Sequence, residues 1–194
     1  MSHVAVELEE QQKTKTLGFW IYLMTDCILF ASLFATYVIL RSGTNGGPGG
    51  RELFDMPFVL AETLILLTSS FTCGLAIVAA KAANRRGVAL ALGATFLLGA
   101  AFLTLELSEF TKLALAGHSW QASAFLSAFF TLVGTHGLHI AVGLLWIIVA
   151  MWQSVHRGLT AGVMRRLVLF SLFWHFLDIV WIFIFTIVYL MGVA

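Results

Sequence analysis

The chain has 194 residues, 60% of them hydrophobic and only 11% charged, with a formal net charge of +1. Soluble domains carry roughly 25% charged residues, so this composition excludes a water-soluble globular protein, and a charge so near zero gives no case for nucleic-acid binding. The two cysteines, Cys27 and Cys73, form no CxxC and read as small core hydrophobes.

Residues 1–16 are polar and mixed in charge, with Glu7, Glu9, Glu10, Lys13 and Lys15. They are expected to form a short cytoplasmic segment. No cleavable signal is visible, so the first span is expected to act as its own insertion signal. From 17 to 194 the expectation is an all-α integral membrane domain, a bundle of five transmembrane helices. A bilayer core takes about 20 apolar residues as helix. Leu17–Leu40, Pro57–Ala80, Val88–Leu107, Ser123–Trp152 and Leu167–Val193 reach that length. The fourth is longer than needed and is expected to tilt or project. Between the spans lie Ser42–Met56, rich in glycine, then Lys81–Gly87, Ser108–Ala122 and Ser154–Arg166. Of the two prolines, Pro48 falls in a loop and Pro57 opens a helix, where its missing N–H does no harm. All five helices are therefore expected to be continuous.

Most of the 11 Lys and Arg fall on the side of the N-terminus: Lys13, Lys15, Lys81, Arg85, Arg86, Arg157, Arg165 and Arg166. Arg41, Arg51 and Lys112 fall on the other side. The positive-inside rule then places the N-terminus in the cytoplasm and the C-terminus in the periplasm. Trp20 and Tyr22 near the inner face, and Trp120 and Tyr189 near the outer face, suit interfacial belts. Trp146, Trp174 and Trp181 lie deeper and are expected to pack between helices.

Ionisable residues interrupt every span. A carboxylate at the centre of a membrane helix costs about 2.5–3.5 kcal/mol on insertion scales, so such residues face protein or water and have partners. A rise of about 1.5 Å per residue puts Asp26 roughly 14 Å and Asp178 roughly 16 Å from the inner ends of their helices, and His136 roughly 20 Å from the outer end of its own. Glu62, Glu106 and Glu109 fall near the outer surface. Two layers are expected, a middle one of Asp and His and an outer one of Glu. His136 and His139, His175 and Asp178, and Glu106 and Glu109 are pairs at i, i+3; Trp174, Asp178 and Trp181 form one stripe.

The plain reading is a set of buried polar contacts that fix helix register, about 0.6 kcal/mol each in membranes. A proton or lipid-headgroup site and a metal or haem site are the alternatives. Di-iron bundles pair Glu-x-x-His motifs, whereas this chain has Glu-x-x-Glu, His-x-x-His and His-x-x-Asp. The expected half-bilayer gap between glutamates and histidines also argues against a shared metal cluster. An uptake transporter is disfavoured, because five unbroken spans cannot divide into two repeats.

Met24-Thr25-Asp26-Cys27-Ile28-Leu29-Phe30, Thr135-His136-Gly137-Leu138-His139 and Trp174-His175-Phe176-Leu177-Asp178-Ile179-Val180-Trp181 resemble motifs of subunit III of the haem-copper terminal oxidases. The resemblance covers 17–194. Five spans, and the stretch from Gly46-Gly47-Pro48 through Pro57 to Thr63, look most like the bacterial quinol-oxidase branch of bo type. The resemblance implies a non-catalytic subunit of a proton-pumping ubiquinol oxidase in the bacterial cytoplasmic membrane. Haem and copper then belong to a large catalytic subunit I; this chain itself carries no cofactor. Subunit II, a small subunit IV and bound phospholipid are the other implied partners. The family's lipid or proton environment maps to Asp26, Glu62 and Arg157, with Asp26 standing where many members have a buried glutamate. The buried polar motif maps to Glu106, Glu109, His136, His139, Trp174, His175, Asp178 and Trp181. Subunit III of a cytochrome c oxidase and a stand-alone membrane metalloenzyme are the competing readings.

Overall fold

A computed structural model describes the backbone of residues 3–193 and the side chains from Lys13 onward; Met1, Ser2 and Ala194 lie outside the described residues. The described chain is all helix and turn. It comprises α1 (His3–Leu40), a short α2 (Gly50–Leu53), α3 (Met56–Lys81), α4 (Arg85–Leu115), α5 (Ala124–His156), α6 (Ala161–Ile184), a π-helical turn (Phe185–Leu190) and a final α7 (Met191–Val193). Five stretches are long and apolar enough to cross a membrane, the last running from Ala161 to Val193 through the π turn.

Several helix ends follow directly from local chemistry. Pro57 sits in the first turn of α3, where no intrahelical N–H bond is lost. Asn84 accepts from the Gly87 N–H at 3.0 Å, Ser123 from Leu126 at 3.1 Å and Thr160 from Val163 at 3.4 Å. Each satisfies one of the free amides that open a helix. Gly158, between α5 and α6, has φ +70°, and a Cβ there would lie 2.5 Å from the Arg85 guanidinium. Left-handed backbone and the close approach of Arg85 both demand glycine.

The helices run well past the apolar windows. α4 continues to Leu115 rather than ending at 107, α5 reaches His156, and α6 begins at Ala161 rather than 167. Most of Ser108–Ala122 and Ser154–Arg166 is therefore helix. Hydropathy reports where hydrocarbon ends, not where backbone hydrogen bonding ends, and Ser, Glu and Lys continue a helix readily in the interface. Likewise α1 starts at His3, so most of the polar N-terminal segment is an extension of the first span. The five spans are continuous as expected, and the last widens locally into the π turn near its end.

Packing joins α3 to α4 most extensively and α4 to α5 next. The α6 helix lies against both α3 and α5, and α1 packs on α5 with a lighter contact to α6. Core residues include Phe102, Phe129, Phe170, Trp174 and Trp181. Phe54, just after α2, is buried and meets Phe125, Phe129 and Tyr189. The glycine-rich connection is thereby pinned across the ends of α5 and α6. Large side chains that face outward on every span, such as Leu90, Leu97, Leu138 and Ile179, form the apolar exterior.

Candidate functional site

The ionisable side chains of the spans form a connected interior of polar contacts. On α1, Asp26 is buried, and its Oδ2 lies 3.6 Å from His139 Nε2 on α5. The other ring nitrogen of His139 donates to the Thr135 carbonyl at 2.7 Å, since a carbonyl can only accept. Nε2 therefore meets Asp26 as a second acceptor unless a proton sits on one of the two atoms. At 3.6 Å this is a polar contact, too long for a hydrogen bond. Phe30 covers it, with its ring centroid 5.2 Å from that of His139.

His136 is wholly buried, and neither ring nitrogen has a hydrogen-bond partner among the described residues. Its ring stacks on Trp181 at 5.3 Å and meets the edge of Phe102 at 6.0 Å.

The stripe on α6 is turned toward α3. Trp174 donates to Ser69 Oγ at 3.1 Å, and Ser69 Oγ in turn donates to the Thr95 carbonyl of α4 at 3.3 Å. Trp181 donates to Thr63 Oγ1 at 3.0 Å. His175 Nδ1 lies 3.1 Å from Ser70 Oγ and 3.8 Å from Asp178 Oδ2. Its hydrogen bond is thus to Ser70, and Asp178 Oδ1 is left with none.

A glutamate layer lies toward the opposite side of the membrane from the α1 start. Glu62, Glu106 and Glu109 are all buried and close enough to interact electrostatically. Tyr189 Oη donates to Glu109 Oε2 at 2.8 Å. Neither carboxyl oxygen of Glu62 has a hydrogen bond, nor has Glu106 Oε2. Lys112 is the nearby cation acting on Glu62 and Glu109, and its ammonium also sits 5.0 Å over the Phe58 ring.

Two sequence expectations are corrected here. Glu106 is not half a bilayer from the histidines: a Cβ on Gly137 would fall 2.7 Å from Glu106 Oε1, so Glu106 abuts the residue next to His136. The cause is the continuation of α4 to Leu115, which sinks Glu106 below the helix end. Tyr189 is also no belt residue. It is fully buried, and the π turn aims it at Glu109. Trp20, Tyr22 and Trp120 are exposed as belts require.

Asp26, Glu62 and Arg157 are not brought together. Arg157 caps the end of α5 on the side where α1 starts, Asp26 lies at mid-depth, and Glu62 lies toward the opposite side. The polar partners Ser69, Ser70, Thr63, Thr95 and Tyr189 were missed from sequence. A lone hydroxyl in an apolar span carries no signal of its own. Among the described residues no group of three or more His, Cys, Asp or Glu is placed to hold a metal ion.

The geometry defines a multi-pass helical membrane protein with a polar interior. Residues 7–193 match the family described as Cytochrome c oxidase subunit III, and the chain belongs to that family. It is 59% identical over 176 residues to the cytochrome bo(3) ubiquinol oxidase subunit 3 of Pseudomonas aeruginosa, covering 90% of this chain and 84% of that one. The protein of the same name from Pseudomonas putida is 52% identical over 91% of this chain and 86% of its own length. A cytochrome c oxidase subunit 3 from Bacillus sp. strain PS3 is 52% identical over 94% of this chain and 88% of that one.

Proposed function

We propose that this chain is the non-catalytic third subunit of a bacterial respiratory ubiquinol oxidase, a complex that reduces oxygen to water and translocates protons. Its place is the cytoplasmic membrane, N-terminus inside. Its partners are the large haem- and copper-bearing subunit I, subunit II, a small subunit IV and membrane phospholipid. The observation that carries this reading is the 59% identity to the Pseudomonas aeruginosa ubiquinol oxidase subunit across nearly the whole of both chains. The orientation rests on the excess of lysine and arginine at the ends of the spans on the N-terminal side.

The chain's own contribution is scaffolding. Its buried acids and histidines hold helices in register, and Asp26, Glu62 and Arg157 offer lipid or protons three separate polar points rather than one site. A second reading, the same role in a cytochrome c oxidase, is favoured by the 52% identity to the Bacillus subunit. Electron donor separates the two. Purification of the tagged chain from its own membranes in mild detergent should bring down a haem-bearing subunit that is oxidised by oxygen and reduced by quinol. Reduction by cytochrome c but not quinol would favour the second reading. Stoichiometric haem or copper on the isolated chain would overturn both.

Asp26→Asn tests the local role. The amide keeps size and most polarity but replaces the carboxyl group that faces His139. The complex should assemble in normal yield and lose activity faster during turnover. Inactivation kinetics equal to wild type would strike Asp26 from the functional residues.

A further inference from the structure

The open face of α6 between α1 and α3 is the part of the polar system that this chain does not complete. His175, Ile179, Ile182 and Phe183 all reach the surface there. On one flank α1 is held by Tyr22 against Phe173 and by Phe30 against Phe176. On the other, α3 is held by Ser69 against Trp174 and Ser70 against His175. His175 stands near the middle of Ala161–Val193, yet 45% of its side chain is exposed.

Ser70 occupies His175 Nδ1, but no hydrogen bond among the described residues reaches Nε2 or the buried Asp178 Oδ1. Acyl chains offer no hydrogen bond, and an imidazole edge beside a carboxylate at hydrocarbon depth is costly against them. Beside this polar spot, α1 and α6 part to leave an apolar groove of about 370 Å³, lined by Cys27, Phe30, Phe34, Ile179, Val180 and Phe183. One face therefore combines an apolar slot with the exposed edge of His175, backed by the buried Asp178.

We propose that this face docks one transmembrane helix of a companion subunit. That helix seats apolar side chains in the α1–α6 groove and turns a hydrogen-bonding side chain toward the exposed edge of His175. The inference rests on the reading of the chain as an oxidase subunit, and goes further in naming the face that meets the partner. A lipid tail alone would fill the groove but leave the exposed edge of His175 without a partner.

The test places a photo-crosslinking amino acid at Ile179 in the full complex and, as control, at Leu145, which is exposed on α5. Irradiation should join Ile179 to a membrane helix of the companion, while Leu145 yields lipid adducts. Lipid or self adducts at Ile179, or companion adducts only at Leu145, would refute the docking face. If the haem-bearing subunit still co-purifies in that case, the oxidase-subunit reading survives. If it does not co-purify with wild type, both fail. His175→Leu should lower recovery of the chain in the complex roughly threefold to tenfold, as for a hydrogen bond lost within the membrane. His175→Gln, which keeps a polar edge, should restore much of it. Equal recovery for both variants would refute the polar half of the proposal.

Discussion

Trp174 shows how single residues set the spacing of three helices. A Cβ on Gly143 of α5 would lie 2.6 Å from its Cζ3, and a Cβ on Gly99 of α4 would lie 2.9 Å from its Cζ2. The indole is therefore a wedge between two glycine notches, held by its N–H on Ser69. A rigid ring cannot yield, so Gly143→Ala should destabilise the isolated chain by about 1–3 kcal/mol through overpacking. Gly93→Ala, with nothing within 4 Å of the new Cβ, should not. Reversible unfolding in mixed micelles measures both. Packing also outweighs the hydrogen bond. Ser69→Ala should cost about 0.6 and at most about 1.7 kcal/mol, against about 3–5 for Trp174→Ala. A larger loss for Ser69→Ala would reverse that ranking.

At the scale of elements, the π turn at Phe185–Leu190 carries two contacts to other helices. A π turn takes i→i+5 bonds and widens the helix, and here both Val188 and Tyr189 are buried. Tyr189 reaches Glu109 on α4, while Tyr37 of α1 donates to the Val188 carbonyl at 3.4 Å. A double-mutant cycle of Tyr189→Phe with Glu109→Leu should give a coupling of about 0.6–1.7 kcal/mol. Strictly additive effects would show that the pair contributes nothing. The number of spans and their order were legible from hydropathy, because about 20 apolar residues leave one solution. The π turn was not, since Phe185–Leu190 contains neither Pro nor Gly to announce it. Spacing along one helix told which residues share a face, as with His175 and Asp178. It did not tell which helix they meet. Ser70, 105 positions away in sequence, takes the hydrogen bond of His175, and only the arrangement of α3 beside α6 reveals that.

For the molecule as a whole, the distribution of packing divides the bundle in two. Helices α3 to α6 share the wedge, the glutamate layer and most of the core, whereas α1 leans on them through a few attachments. They include Phe19 on Trp146, Tyr22 on Phe173, Asp26 on His139, Phe30 on Phe176, Phe34 on Phe183 and Tyr37 on Val188. Co-expression of 1–47 with 48–194 as separate chains should therefore yield a stable second fragment that recovers the first. In that split pair, Asp26→Leu should weaken recovery of the first fragment without lowering the stability of the second. Failure of 48–194 to resist proteolysis alone would contradict this division. The light hold on α1 has a temporal corollary. Because α1 precedes α5 and α6 in the chain, it leaves the ribosome before the helices that seat it and has nothing to grip until they emerge.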